Sequence, residues 1–228
     1  DAQRRPFIYV DFTCGAWGGR PWADGLDGNS HMFANMACPS IEVVEAEQPV
    51  QVLCYEFVPD AAGPGQYRGG VPFAREYRML EEEGVLQVRS DRRTFKPFGL
   101  YGGEPGRPSM NTMTRDGRTE VLPSKFCVTF KRGDVFRHEL AGGGGWGDPL
   151  LRDPELVLRD VVNSLIGEGP AHADYGVVLR DGAVDASATE AARAALRAKR
   201  GAWTASPVNR GPAAQAADRC RCAAAARC

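Results

Sequence analysis

Gly142-Gly143-Gly144-Gly145-Trp146-Gly147-Asp148-Pro149, followed by Arg152-Asp153-Pro154 and later by Tyr175-Gly176-Val177-Val178, decides how the rest of the chain is read. Consecutive glycines lose the most conformational entropy on ordering. A folded chain therefore keeps such a run only where the backbone takes positive φ or approaches another group closely. The run formally contains G-x-G-x-x-G at Gly142, Gly144 and Gly147. A dinucleotide fingerprint, however, opens a helix at once inside an alternating βαβ unit. Here Asp148 and Pro149 follow, and the upstream segments read as antiparallel strands. The loop is therefore assigned a structural role, or that of a backbone nest beside an active site or partner.

Upstream, Phe126, Val128 and Phe130 share one face of a strand, and Val135 to Leu140 is predicted to pair with it across Arg132-Gly133-Asp134. Lys96 to Asp116 is rich in Pro and Gly and is predicted to be a long ordered loop. Phe73 to Leu80 and Val85 to Ser90 read as another hairpin around Glu83-Gly84. Val50 to Val58 is apolar on both faces, which predicts a central strand. Ile41 to Glu45 and Phe7 to Phe12 complete the strands. The loop from Thr13 to His31, with Gly15, Gly18, Gly19, Gly25 and Gly28 beside Trp17 and Trp22, is expected to be compact.

Helical signals follow the glycine run. Asp153 is placed to cap a helix, Pro154 fits its first position, Glu155 complements the dipole, and Val157, Val161 and Leu165 recur every four residues. Tyr175 to Leu179 reads as extended, Arg180-Asp181-Gly182 as a turn, and Thr189 to Arg200 as a helix. The fold class is thus α+β, with β-rich antiparallel sheets, long Gly-rich loops and two C-terminal helices, in one domain over residues 1–200. From Gly201 the Ala-, Pro- and Arg-rich tail has no apolar period and is expected to be disordered. Its Cys220, Cys222 and Cys228 lack a fourth zinc donor.

With 228 residues, 43% of them hydrophobic and 25% charged, the chain can bury one substantial core. A formal net charge of -1, evenly mixed, argues against nucleic acid or an anionic membrane as partner. No stretch reaches the roughly 20 apolar residues of a membrane-spanning helix, and Phe7 to Val10 is too short for a secretory core, so a cytoplasmic location is expected. Cys14, Cys38, Cys54 and Cys127 are widely spaced and are expected to be reduced and packed as small hydrophobes. The chain opens at Asp1, without methionine and almost directly in a strand pattern, and reads as a piece of something longer.

Local catalytic signatures are missing. There is no G-x-x-x-x-G-K-[ST], no H-x-x-x-H and no G-x-S-x-G, and neither His31, His138 nor His172 has a partner at ligand spacing, so no metal site is assigned. His138 reads as a strand surface residue. Asp24, Asp27, His31, Asn35, Glu42 and Glu45 gather polar groups near two tryptophans. They either support their own turns or form a substrate pocket or subunit contact. Arg68, between Gly65 and Gly69-Gly70, could grip a substrate carboxylate bidentately or pair with a protein carboxylate to pin the turn. Gly142, Gly143, Gly144 and Gly145 complete the candidate site.

Taken together, Trp17-Gly18-Gly19-Arg20-Pro21, Asp24-Gly25-Leu26-Asp27-Gly28, Glu42-Val43-Val44-Glu45, Gly65-Gln66-Tyr67-Arg68-Gly69-Gly70 and the glycine run resemble, in order and spacing, the C-terminal half of a hydantoinase B/oxoprolinase-type subunit. The resemblance covers Arg5 to about Arg200. It implies a subunit of an ATP-dependent enzyme opening small cyclic amides such as hydantoins or 5-oxoproline, beside a hydantoinase A-type partner that binds the ATP. Phosphorylating an amide oxygen makes its carbon open to attack by water. Relatives instead carboxylate ketones, and a non-catalytic assembly module is the rival class. A divalent metal, where the family holds one, is expected outside this stretch. Cys14 in place of a usual glycine, and Leu140-Ala141 in place of Thr-Pro before the run, depart from the pattern. The chain alone is expected to be inactive.

Overall fold

Alternating apolar and polar side chains build two β layers in the computed structural model, which describes residues 7–31, 33, 34 and 37–200 and the backbone of 208 and 209. One layer is a five-stranded antiparallel sheet of β1 (Val50–Phe57), β2 (Phe73–Met79), β8 (Val135–Glu139), β5 (Met110–Arg115) and β6 (Arg118–Leu122), in that spatial order. The other is a ribbon of β3 (Glu83–Arg89) and β7 (Lys125–Lys131). Val50, Tyr77, Met79, Met113, Leu122 and Phe136 of the sheet meet Phe130, Leu86, Val88, Phe126 and Val128 of the ribbon in one core. Each large side chain so buried is worth about 1.5–3 kcal/mol. Short ladders join β4 (Gly99–Leu100) to β11 (Val208–Asn209) and β9 (Leu179–Arg180) to β10 (Ala183–Val184). The helices are α1 (Ile41–Glu47), α2 (Pro154–Val162), α3 (Glu168–Tyr175) and α4 (Ala186–Arg200). The class is α+β, as expected, and among the described residues no helix is long and apolar enough to cross a membrane.

The strands predicted over 50–58, 73–80, 85–90, 126–130 and 135–140 form, but not with the predicted partners. Neither expected hairpin forms: β2 pairs with β1 and β8, β3 pairs with β7, and β8 pairs with β2 and β5. The two expected turns are instead corners where the chain crosses between layers. They are tied to each other by Gly133 N donating to Met79 O at 2.9 Å and Arg132 N to Glu82 O at 3.2 Å. Asp134 fixes the second corner by accepting from Arg115 Nη2 at 2.6 Å and Lys131 N at 2.8 Å. Crossing lets Phe126 meet Phe136 edge to face at 6.0 Å across the core, a contact that adjacent strands would not place between layers.

Further differences have local causes. β1 lies at the sheet edge, with Leu53, Tyr55 and Phe57 at 36%, 44% and 48% exposure, so its two apolar faces do not mark a central strand. Ile41–Glu47 is helical rather than extended. Ser40 Oγ accepts from Val43 N at 3.4 Å and Glu42 sits in the first turn, which outweighs the β preference of Val43 and Val44. Phe7 to Phe12 belongs to no ladder, although Phe7 and Tyr9 pack on the core. The expected loop from Lys96 to Asp116 contains β5, since Met110–Arg115 finds partners on both sides.

The C-terminal region holds three helices rather than two. α3 was hidden by its Gly169, Pro170 and His172, and it ends on Gly176 in the left-handed conformation at φ 63°. α2 starts as expected, with Asp153 Oδ1 accepting from Glu155 N at 3.0 Å, and Asp181-Gly182 turns with φ 50° and 76°. Val157, Ile166, Ala171, Tyr175 and Val177 form a second core there. Cys14, Cys38, Cys54 and Cys127 are free thiols, but Cys38 and Cys127 are exposed and the other two half-buried, so they are not packed as small hydrophobes. Apart from the β11 backbone, the tail expected to be disordered, with its three cysteines, lies outside the described residues.

His138 is buried in β8 rather than on the surface. Asn111 Nδ2 donates to Ser90 Oγ and Pro123 O, leaving its Oδ1 to accept from His138 Nδ1 at 2.5 Å, which assigns the tautomer. Burial lowers the imidazole pKa below its ordinary 6.5, against the raising effects of the Met110 backbone and the Asp11 and Glu139 charges. With the folded pKa depressed, the contribution to stability is complete above 6.5 and declines as pH falls from there toward the folded value. Urea midpoints should therefore drop between pH 7 and pH 5 in the wild type and drop less in His138→Gln. Equal slopes for the two proteins would refute this.

Candidate functional site

The four glycines of the run pack backbone against backbone. Gly142 N donates to Arg107 O at 3.1 Å, Gly143 N to Gly70 O at 3.0 Å and Gly145 N to Glu104 O at 2.9 Å. Their carbonyls accept in turn: Gly143 O from Gly63 N at 2.7 Å, Gly144 O from Gly19 N at 2.8 Å and Gly145 O from Leu100 N at 2.9 Å. Three separate loops are thereby sewn together where no side chain fits. A Cβ on Gly142, Gly143, Gly144 or Gly145 would meet the carbonyl oxygen of Ala61, Trp17, Phe98 or Pro64 respectively, each closer than 3.0 Å. None of the four has positive φ, so close approach is what requires them; positive φ begins only at Gly147, at 75°. Trp146 closes the end of this lattice against the rings of Tyr67 and Tyr101, at 5.9 and 5.6 Å.

Beneath the lattice lies a buried ion network. Arg152 grips Asp24 with both terminal nitrogens at 2.6 and 2.8 Å, and its Nη2 also donates to Asp160 Oδ2 at 2.7 Å. Arg68 grips Asp27 bidentately at 2.7 and 3.1 Å and reaches the same Asp160 oxygen through Nε at 3.0 Å. The side chains of Arg152, Asp160 and Arg68 are 0%, 1% and 4% exposed. The carboxylates also hold backbone: Asp24 Oδ1 accepts from Arg68 N at 2.9 Å, and Asp27 Oδ1 from Val71 N at 2.6 Å. α4 locks the assembly from behind, since Arg193 donates to Arg152 O at 2.6 Å and Tyr175 O at 3.0 Å.

The electrostatics make this a clamp rather than a proton-transfer device. Burial alone would raise the Asp24 pKa, but the Arg152 hydrogen bond and charge, with the Arg68 charge, hold it below the ordinary carboxylate value. Arg68 is held above its ordinary range against desolvation by Asp27 and Asp160. A general base at neutral pH needs the opposite shift. Among the described residues no three His, Cys, Asp or Glu side chains are grouped to hold a metal ion. The lattice offers no phosphate nest either, because the Gly142, Gly143, Gly145 and Trp146 amides already donate to carbonyls. These four amides are not free to grip a phosphate.

Of the residues singled out by sequence, Asp24, Asp27, Arg68 and Gly142 to Gly145 come together. Arg68 does grip a carboxylate bidentately, but it is the protein's own Asp27. Glu42 and Glu45 lie apart on α1, where Glu45 Oε1 accepts from Val52 N of the edge strand at 2.7 Å. His31 is exposed beside Phe33, and Asn35 lies outside the described residues. Arg152 and Asp160 were missed. Asp160 carried a readable signal: it falls three residues after Val157, which is fully buried on the inner face of α2, and an acid there demands a buried cation.

A family model described as hydantoinase B/oxoprolinase matches residues 1–149. The B-type component of a putative D-/L-hydantoinase from Pseudomonas sp. (strain NS671) is 33% identical over 179 residues, covering 77% of this chain and 30% of that protein. The crystal structure of ATP-dependent caprolactamase from Pseudomonas jessenii superposes with a TM-score of 0.69 at 27% identity, over 80% of this chain and 33% of that one. A nucleotide-free acetone carboxylase structure shares the fold with a TM-score of 0.73 at 22% identity, over 82% and 30% respectively. The aligned part of the chain thus spans about a third or less of the length of each of these proteins.

Proposed function

The chain belongs to the hydantoinase B/oxoprolinase family, and from that premise we propose that it is part of the B-type subunit of an ATP-dependent hydrolase of small cyclic amides. Its own contribution is a scaffold: the Asp24-Arg152-Asp160-Arg68-Asp27 clamp holds the glycine lattice rigid, so that the loops it sews together present a fixed surface to substrate or partner. The observation that carries this reading is that two buried arginines pair with all three carboxylates, gripping Asp24 and Asp27 bidentately and meeting on one oxygen of Asp160. The guanidinium groups that could grip a substrate carboxylate are thus committed to the protein's own carboxylates. This reading puts ATP on an A-type partner, and the Gly142, Gly143, Gly145 and Trp146 amides, already donating to carbonyls, support it. Ring opening is favoured over ketone carboxylation because the hydantoinase relative is 33% identical and a caprolactamase beta subunit 31%, against 27% for an acetone carboxylase alpha subunit.

The test is phosphate release by the complex reconstituted with an A-type ATP-binding partner, supplied in turn with a hydantoin, 5-oxoproline, caprolactam, or acetone with bicarbonate. ATP turnover should rise at least tenfold with one cyclic amide and stay at background with the ketone. The 228-residue chain alone should show none. Stimulation by the ketone and bicarbonate only would assign the carboxylase reading. Amide-stimulated turnover by the isolated chain would overturn the scaffold reading.

A further inference from the structure

A cavity of about 850 Å³ lies between the two β layers and the segment Phe7 to Thr13. Every residue from Glu83 to Ser90 lines it. Successive side chains of a strand point to opposite faces, so a cavity touched by all of them runs along the strand's backbone edge rather than over one face. That edge is open: among the described residues β3 has β7 as its sole ladder partner. Across the cavity stands an extended segment that turns one side-chain face toward it. Phe7 to Phe12 shows strand alternation, with Phe7, Tyr9 and Asp11 half-buried and Ile8, Val10 and Phe12 at 86%, 62% and 66% exposure, yet it joins no ladder. Asp11 holds this segment in place, accepting from Arg75 Nη1 at 2.7 Å and from the Tyr77 hydroxyl.

The β3 edge, open along this slot, leaves alternate backbone N–H and C=O groups unpaired, which is the geometry that takes up an added strand, while Phe7, Tyr9, Asp11 and Thr13 wall the opposite side with one side-chain face. The inner wall is Tyr77, Met79, Phe130 and Phe136, and the outer rim carries Val85 at 76% exposure and Ile8. A strand fitting there is therefore apolar on both faces and rich in β-branched residues. Its length is set by the seven residues of β3, roughly 23 Å at about 3.3 Å each.

We propose that this slot receives one extended strand of the B-type subunit itself, drawn from the part of that subunit outside the 30% that aligns with this chain. The family relatives hold far more polypeptide than this chain matches, and a strand from that remainder would close the β3 edge while covering the apolar face of Phe7 and Tyr9. The inference rests on family membership and not on the reaction. Its failure therefore leaves the ATP-turnover test untouched, and failure of that test leaves the slot unaffected.

Overlapping 12-residue peptides covering the unaligned part of the Pseudomonas sp. hydantoinase B-type component provide the probe. One group of neighbouring peptides should bind the 228-residue chain, and amide exchange over residues 83–90 should slow at least tenfold in its presence. Val85→Lys, at a position 76% exposed in the unbound chain, should leave melting unchanged while weakening that binding tenfold or more. Three results would each overturn the proposal: no peptide slows exchange in β3, Val85→Lys binds as the wild type does, or the chain alone dimerises through β3 so that a second copy fills the slot.

Discussion

Gly143→Ala will give no stably folded chain, while Gly18→Ala in the same lattice will unfold within about 1 kcal/mol of the wild type, the usual scale of a tolerated substitution. The two differ only in what a methyl group meets. On Gly143 it lands closer than 3.0 Å to Trp17 O, Trp17 C and Gly70 N, all backbone. On Gly18 the nearest atom is Gly144 O at an ordinary 3.5 Å. Relieving the first clash moves backbone that carries Gly143 N to Gly70 O, Gly63 N to Gly143 O and Gly70 N to Trp17 O, at 3.0, 2.7 and 2.7 Å. Each buried group left unpaired costs about 1–3 kcal/mol. Three bonds lost together exceed about 5 kcal/mol, which reaches the whole stability of a typical domain, about 5–15 kcal/mol. Circular dichroism and urea titration decide it: cooperative unfolding of Gly143→Ala near the wild-type midpoint would show that the lattice yields where the packing says it cannot.

Arg152→Met is the second large effect. It leaves Asp24 without its bidentate partner and removes one of the two cations on Asp160, both inside a region where Arg152 and Asp160 are 0% and 1% exposed. Removing one partner of a buried pair costs about 3–5 kcal/mol. Arg152→Lys should recover less than half of it, because an ammonium cannot span both Asp24 oxygens and still reach Asp160. The loss is pH-dependent in a defined direction. Asp24 has a folded pKa depressed below its ordinary 3.8, so its stabilisation is present above that value and is lost as pH falls through the folded one. The gap between wild type and Arg152→Met should therefore narrow below about pH 4. A melting temperature for Arg152→Met within a few degrees of the wild type at pH 7 would remove the clamp from the account of how the lattice is held.

Together these substitutions separate two roles that the motifs combine. The glycines allow the loops to touch, and the ion network pulls the 3₁₀ turn at Pro149–Leu151, α2 and the Asp24–Asp27 loop onto them. Each defect should lower assembly with the partner subunit proposed above through folding rather than through chemistry. In the surviving Arg152→Lys protein, stability and partner binding should therefore fall together.

Much of this was legible from residues a few positions apart. Asp153 and Pro154 start α2, Asp181-Gly182 turns the β9–β10 hairpin, and the glycine run announces a close backbone approach, because caps, turns and steric allowances depend on local conformation alone. The order of the Trp17, Asp24, Gly65 and Gly142 motifs likewise identified the family. Tertiary structure alone decided the rest. Whether β7 joins β8 or β3 depends on which apolar faces can cover each other, and Phe126 meets Phe136 only after the chain crosses between layers. Val43 and Val44 became helical because Ser40 and the packing of Val44 outweighed their own preference. Asp24 finds Arg152 across 128 positions of sequence. Charge pairing at that distance leaves no periodic trace, since a buried carboxylate specifies that a cation must come but not from where.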